Sequence, residues 1–386
     1  MGTRSILRPV LRPIPLPLTF DDGPSPAFSA NFLSGTLPAG LTYTNSSTTR
    51  YYEAASGTYT TAAANAAIFE YRSGVLQGMR WEMEQRTNLA LWNRDLTNAA
   101  WTKTNGTAAK DQAGIDGVTN SASSFTATAG NATSLQSITS ASAARVTSFF
   151  LKRITGTGTV NITQDNGTTW TAVTLTSAWQ RFQVTATAAN PVIGIRVVTS
   201  GDAVALDFAQ HETPATVASS PIATTTAAVI RQPDVLTASS ISWYRQDEGT
   251  VLFEGICADT GSLAARGFYV FSDGTTNNRM NSYNLSGIIS TAIGGGVSQA
   301  SLSSSVSPSA GSVFRSVFCY LLNSFAVSAN GATPVSDVSG VVPVVDQLKF
   351  GVTSSAGNAQ FMGYARRFQY FPTRLPNGQI QGMSRV

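Results

Sequence analysis

Two pairs of carboxylates are the side chains in this sequence best placed for acid–base or metal chemistry. Asp21 and Asp22 are adjacent, and Glu82 and Glu84 are two residues apart. A hydrolytic metal centre of the zinc type needs about three protein ligands, usually with histidine among them. The chain has a single histidine, His211, which is distant in sequence from either pair. We therefore expect no catalytic residue, no bound metal and no cofactor.

The first pair lies in a segment that reads TFDDGPS from Thr19 to Ser25. This segment resembles the first motif of the polysaccharide deacetylases, in which one aspartate acts as a base and the other holds a metal. Those enzymes complete the metal site with two histidines on one helix, and this chain cannot supply them. We interpret Asp-Asp-Gly-Pro as a turn. The second pair alternates with apolar residues along a predicted strand, so we expect Glu82 and Glu84 to face solvent as partners of neighbouring arginines.

The composition predicts the elements that would carry these side chains. Ser, Thr, Ala and Gly are abundant, only 12% of the 386 residues are charged, and 42% are hydrophobic. Short alternating runs of Thr, Val, Ala and Phe, separated by Gly, Asn and Asp, are typical of an all-β protein with many strands and turns. The predicted fold is all-β: an extended N-terminal arm, a small β collar and two tandem β-sandwich (jelly-roll) domains.

Five segments follow from this pattern. They are an extended Pro-rich anchoring arm (1–26), a small β-rich collar (27–91), a first jelly roll (92–212), a linker (213–233) and a second sandwich (234–386). A net charge of +4 without a dense basic stripe argues against nucleic-acid binding. No apolar run reaches about twenty residues, so no membrane span is predicted. Prolines interrupt the N-terminal apolar residues, which excludes a signal peptide and favours folding in a cytoplasm.

The most specific run of residues lies between Ala62 and Trp101, and it resembles a module of tailed-bacteriophage virion proteins. The resemblance implies a structural or adhesive protein of the particle rather than an enzyme, located in the virion and made in the host cytoplasm. The matching residues are Ala64, Asn65, Phe69, Tyr71, Gly74, Gly78, Glu82, Glu84, Arg86, Thr87, Asn88, Leu89, Asn98, Ala99, Ala100 and Trp101.

The N-terminal arm repeats the tripeptide Leu-Arg-Pro, and this repeat favours an extended polyproline-like conformation. Such an arm cannot bury its own leucines, so we expect it to dock on a neighbouring chain or on the particle; a frayed terminus is the alternative. The candidate anchoring residues are Leu7, Arg8, Leu11, Arg12 and Ile14.

Two further segments resemble sugar-binding folds. The run VTLTSAWQRFQV, from Val173 to Val184, is similar to a strand pair of carbohydrate-binding modules with a jelly-roll fold. The run from Phe361 to Leu375 resembles the last strand of the concanavalin-like lectin/laminin-G sandwich. These resemblances imply a sugar site without placing it. Trp170 and Trp179 are candidate stacking platforms, although core packing is the favoured interpretation of both.

The polar loop between two strands of the second sandwich is the candidate carbohydrate-binding site. Its candidate residues are Asp273, Asn277, Asn278 and Arg279. Calcium coordination by Asp273 and Asn277 and an ordinary polar turn are the alternatives, and the turn is favoured over calcium. The Glu-x-Asp-x-x-Glu strand of glycosidases on this fold does not occur after Asp234.

Together these features predict a bacteriophage virion protein, a fibre, spike or appendage, that attaches by its N-terminus and binds host surface glycans. The expected partners are capsid or tail proteins, host polysaccharide, and further copies of the chain with a trimer favoured. The alternative is a capsid or tail decoration protein that never contacts a host. We also expect His211 to be a surface or interface residue, and Cys257 and Cys319 to be buried thiols, with a disulfide as the alternative.

Overall fold

The computed structural model describes residues 24–213, 217–258, 265–357 and 360–386. Almost all regular structure in these ranges is β-strand, arranged in antiparallel sheets, which confirms the predicted all-β class. No helix within the described ranges is long and apolar enough to cross a membrane. The candidate anchoring residues Leu7, Arg8, Leu11, Arg12 and Ile14, and the Asp21–Asp22 pair, lie outside the described residues.

The strands have the following bounds. In the first part of the chain they are β1 (Phe28–Asn31), β2 (Leu41–Thr44), β3 (Arg50–Glu53), β4 (Tyr59–Ala62), β5 (Phe69–Arg72), β6 (Val75–Glu82) and β7 (Arg86–Asn88). Next come β8 (Thr102–Thr104), β9 (Gly106–Gln112), β10 (Ala122–Ala127), β11 (Ala132–Ser137), β12 (Ala143–Thr155), β13 (Val160–Thr163), β14 (Thr171–Val173), β15 (Gln180–Ala188), β16 (Val192–Val197) and β17 (Ala203–Thr213). The last are β18 (Val229–Arg231), β19 (Val235–Ala238), β20 (Glu248–Cys257), β21 (Arg266–Ser272), β22 (Arg279–Asn284), β23 (Ile288–Gly294), β24 (Val297–Ser303), β25 (Val313–Leu321), β26 (Phe325–Ala329), β27 (Val335–Asp337), β28 (Gln347–Phe350) and β29 (Met362–Phe371). A 3₁₀ turn (Phe32–Ser34) and one α-helix, α1 (Asn377–Met383), complete the described elements.

The middle sandwich consists of two sheets that share one apolar core. One sheet has the order β15-β12-β17-β10-β9, with β7 and β18 added beside β17, and the other has the order β14-β13-β16-β11-β8. Alternate residues of β12 and β13 point inward, so Phe149 and Leu151 of one sheet pack with Val160 and Ile162 of the other. Burial of these side chains is the main force that holds the sheets together.

The C-terminal sandwich is larger and its core is aromatic. Sheet 1 has the order β27-β26-β25-β20-β29-β6-β5, with β1 paired to β29, and sheet 2 has the order β2-β19-β28-β21-β22-β23-β24. Trp81 stacks on Phe253 with ring centroids 5.6 Å apart, and Phe253 stacks on Phe268 at 5.0 Å. On the outer face of sheet 1, Ile380 of α1 packs in a cluster that includes Leu252.

Residues 27–91 were predicted from the sequence as a separate collar, but they supply strands to the C-terminal sandwich. Strands β1, β5 and β6 join sheet 1, and β2 joins sheet 2 through β19. The apolar side of β6, with Met79 and Trp81, lies in the common core. An amphipathic strand needs a second apolar surface, and here that surface comes from residues far along the chain.

The same segment also joins the two sandwiches. Tyr51 and Tyr59 of the β3–β4 hairpin pack against Phe150 and Phe208 of the middle sandwich. The predicted linker, from residue 217 onward, lies against the protein body, and its strand β18 pairs with β7, which itself pairs with β17. The run from residue 62 to residue 101 therefore spans the junction, because its strand β6 belongs to one sandwich and its strand β7 to the other.

Candidate functional site

The predicted sugar-binding loop forms a polar turn at the tip of sheet 2. One carboxylate oxygen of Asp273 accepts hydrogen bonds from the backbone and hydroxyl of Thr275, at 2.9 and 2.6 Å, and the other accepts one from the Asn278 amide at 2.8 Å. These bonds lower the pKa of Asp273 and use both of its oxygens within the loop. Asn278 also accepts a hydrogen bond from Gly295 in the neighbouring β23–β24 turn. The loop is thus braced by its own polar groups, and residues 274–277, including Asn277, are exposed.

Arg279 differs from its loop neighbours, because it begins β22 and lies on the outer face of sheet 2. Side chains alternate along a strand, so Arg279, Asn281 and Tyr283 share one face while Met280 enters the core. Across the sheet, Asn281 pairs with Thr291, which pairs with Ser301. We call this surface, made of Arg279, Asn281, Tyr283, Thr291 and Ser301, the polar face.

Hydrogen bonds fix the centre of the polar face at the buried Asn281, and the surrounding Arg279, Tyr283 and Thr291 are half-buried. The Asn281 amide donates to the backbone oxygen of Thr353, and its oxygen accepts from the Thr291 hydroxyl, each at 2.5 Å. Burial raises the pKa of the half-buried Tyr283 hydroxyl, although the nearby charge of Arg279 acts in the opposite direction. Tyr283 therefore stays neutral, with a ring for stacking and a hydroxyl that can donate or accept.

Tyr283 is the residue that the sequence interpretation missed. The signal lies in the alternation of residues 279–283, which places a cation, an amide and an aromatic ring at every second position. The sequence of this strand alone does not show which side of the sheet faces away from the core. That depends on the core residues of β23 and β24, which fix the inward direction.

The two candidate tryptophans are both half-buried and both lie against cations. The Arg196 guanidinium lies 4.4 Å from the centre of the Trp170 ring, and the Lys152 ammonium lies 4.8 Å from that of Trp179. Trp179 also packs beside the cluster that contains Phe150. Trp170 therefore packs against a cation outside the apolar core, whereas Trp179 also packs against buried aromatic side chains.

Glu82 was expected to face solvent, and this prediction is wrong. Its side chain is 5% exposed because the linker covers the outer face of β6. The Ser220 backbone and hydroxyl donate to its two oxygens at 2.6 and 2.7 Å, and Arg80 and Arg231 lie 3.2 and 3.5 Å away. Burial alone would raise the pKa of Glu82, but the two arginines and Ser220 together lower it to about 2. Glu84, 26% exposed in its side chain, lies within ion-pair distance of Arg86 and Arg266.

A polar cavity next to Glu82 lies between the two sandwiches. Its walls include Glu70, Arg72, Tyr59 and Tyr364, together with Arg181 of the middle sandwich. The charges in it are largely paired: Arg72 lies 3.5 Å from Glu70, and the Tyr364 hydroxyl donates to Glu70 at 2.9 Å. This cavity belongs to the network that joins the sandwiches.

His211 was expected to be a surface or interface residue, but it is 1% exposed inside the middle sandwich, and that prediction is also wrong. It lies on β17, inside the middle sandwich, where its Nδ1 is 2.7 Å from the Thr147 hydroxyl. That hydroxyl donates to Gln164, so the histidine is the donor in their bond and the Nδ1–H tautomer is present. Burial and the charge of Arg145 lower the pKa of His211 to about 4, which keeps the ring neutral.

In the described parts of the chain, the cysteines form no disulfide and the acidic residues form no metal centre. Cys257 and Cys319 are buried and no disulfide joins them, as expected, and burial raises the pKa of the Cys319 thiol to about 11. No group of three or more His, Cys, Asp or Glu residues is placed to hold a metal ion in the part of the chain that the structure describes.

No family model matches this chain, and no curated protein matches it in sequence. Among solved structures, the carbohydrate-binding module CBM40 of the Ruminococcus gnavus intramolecular trans-sialidase, bound to α2,3-sialyllactose, is similar over 36% of this chain and 83% of its own. That match has 15% identity and a TM-score of 0.31. A heptameric pentraxin of Limulus polyphemus is similar over 36% of this chain and 69% of its own, with 12% identity and a TM-score of 0.28. The receptor-binding domain of botulinum neurotoxin type G is similar over 39% and 40%, with 12% identity and a TM-score of 0.29. Likenesses this low do not transfer a ligand or an activity to the present chain.

Proposed function

We propose that this chain is a non-catalytic, glycan-binding structural protein of a bacteriophage virion, and that it binds sugar at the polar face. The observation that carries the proposal is that the half-buried side chains of Tyr283 and Arg279 share the outer face of β22. The resemblance of residues 62–101 to virion proteins supports the assignment to a particle. Attachment to capsid or tail proteins through the N-terminal arm is part of the same proposal.

The chemistry of such a face suits a neutral or acidic sugar. The Tyr283 ring offers an apolar surface to the C–H groups of a pyranose, and Arg279 and the Ser301 hydroxyl can donate hydrogen bonds to its oxygens. The Thr291 hydroxyl already donates to Asn281, so it can only accept from a sugar hydroxyl. An open face with one aromatic ring gives weak binding, with a dissociation constant on the order of 1 mM per site. Several copies on one particle would raise the effective affinity.

Replacing both Tyr283 and Arg279 by alanine should weaken binding to host surface polysaccharide at least about tenfold, because stacking and hydrogen bonding are lost together. The double variant should remain folded, since neither side chain belongs to the apolar core. The affinity of the full chain for purified polysaccharide can be measured by calorimetry or by glycan-array titration.

The matched control is Tyr52→Ala, which removes a half-buried tyrosine from the β3–β4 hairpin. We expect it to leave binding unchanged. Equal effects of the two variants would place the sugar elsewhere. If the chain binds no host glycan, and particles that lack it become fragile but adsorb normally, a decoration role is the correct function.

A further inference from the structure

One flank of the C-terminal sandwich carries the outermost strands of both of its sheets. Strand β27 ends the order of sheet 1 and β24 ends that of sheet 2, and the two strands are in contact. Unpaired edge strands are usually protected by charged residues. Here residues 320–345 contain one charged residue, Asp337, and β24 contains none.

This flank also concentrates exposed aliphatic side chains. We call this group the apolar flank, and its members are Val297 (64% exposed), Leu321 (37%), Leu322 (58%), Val335 (38%), Val338 (83%), Val341 (51%) and Val344 (69%). Single exposed aliphatics are ordinary on protein surfaces, but a concentration of this kind is typical of an interaction site.

Hydrogen bonds around Gly340 hold three segments of the apolar flank together. The Gly340 carbonyl accepts from the Asn323 backbone at 2.9 Å, which ties the segment to the turn that contains Leu322. The Val341 backbone donates to the Gln299 side chain of β24 at 3.1 Å. Gly340 has φ +109°, and a Cβ there would lie 2.3 Å from the Gln299 carbonyl, so only glycine allows this close approach.

We propose that the apolar flank is the interface through which copies of this chain associate with one another. Side chains with these exposed fractions present on the order of 600 Å², which is at the upper end of the patches found on monomers and approaches the roughly 800 Å² per partner of a stable interface. The area of the apolar flank by itself is compatible with any apolar partner.

The near-neutral charge of the apolar flank favours a second copy of this chain as the binding partner. A nearly neutral apolar surface meets its own copy around a symmetry axis without like-charge repulsion. The single carboxylate, Asp337, is already hydrogen-bonded to the Ser339 backbone and hydroxyl within its own turn. Association would also cover the edges of β24 and β27, which would otherwise be open to pairing with other chains.

The test is the mass of the full chain by sedimentation equilibrium over a range of concentrations. The wild-type chain should sediment as an oligomer, and a Val338→Asp, Val344→Asp double variant should weaken association at least about a hundredfold, because like charges would face each other across the interface. A neutral Val338→Ser, Val344→Ser variant should weaken it less. The control is Val75→Asp with Val118→Asp, two valines exposed elsewhere at 63% and 55%, and it should keep the wild-type mass.

A wild-type chain that stays monomeric at its highest soluble concentration would overturn the proposal, as would an unchanged mass of the Asp double variant. Circular dichroism melting should show that every variant is folded, since the substituted side chains are exposed. The outcome is independent of the sugar site, because the Tyr283 and Arg279 variants change affinity per site and leave the apolar flank intact.

Discussion

Replacing Glu82 by glutamine should lower the free energy of unfolding by about 3 kcal/mol, because a buried carboxylate between two arginines loses its charge. Arg80 and Arg231 would remain buried with one counter-charge fewer. Ser220 of the linker also binds this carboxylate, so the change should loosen the linker as well as β6. Urea denaturation at neutral pH measures the expected loss.

The pH dependence of the free energy of unfolding provides a second test of the role of Glu82. The pKa of Glu82 in the folded chain is about 2, below the ordinary value of 4.5. Its stabilisation is therefore complete above about pH 4.5 and is lost as the pH falls toward 2. The wild-type chain should lose stability in this window more steeply than Glu82→Gln.

The control for Glu82 is Asp247→Asn, which removes a carboxylate whose side chain is 64% exposed. We expect a change within about 0.5 kcal/mol for this variant, because exposed ion pairs contribute little. Equal effects of the two substitutions would mean that the buried network does not hold the sandwiches together.

Trp81→Ala should cost about 3–5 kcal/mol of unfolding free energy, since it removes the largest side chain of the C-terminal core. Trp81 is fully buried, and its ring contacts those of Phe32, Phe253, Phe350 and Phe361. These contacts join β6, from the early part of the chain, to elements near its end. The C-terminal sandwich of the Trp81→Ala variant should therefore be destabilised as a whole and unfold in one transition, which calorimetry can measure.

Trp170→Ala is the matched substitution, because Trp170 is half-buried and lies beside Arg196 outside the apolar core of the middle sandwich. Trp170→Ala should lower the free energy of unfolding by less than half as much as Trp81→Ala. A smaller loss for Trp81 than for Trp170 would contradict the assignment of β6 to the C-terminal core.

The failed predictions for Glu82 and His211 share a physical cause. Alternation along β6 correctly separates Trp81 from Glu82, but it cannot show that Ser220 covers the polar side. In the same way, the sequence around His211 shows a strand, but not that its side chain meets Thr147 on a neighbouring strand. Local periodicity gives the face of a residue, whereas burial depends on long-range packing.

The candidate sugar-binding site was predictable to the same extent: the sequence showed its local features but not its long-range packing. Asp273 and Asn278 were correctly placed together in one loop, because a polar turn is a local feature. Arg279 was grouped with them by sequence proximity, yet it shares the outer face of β22 with Tyr283, four residues away. Only the register of β22 with β23 shows which side chains share that face.

Glycan binding without chemical change of the glycan can be tested in a single experiment. The full chain would be incubated with host surface polysaccharide, with and without divalent metal, while binding, polymer length and acetyl content are followed together. We predict saturable binding that weakens in the Tyr283→Ala, Arg279→Ala variant, with no change in polymer length or acetyl content. Absence of binding, or release of acetate or shorter fragments that stops in an Asp22→Ala variant, would contradict the account.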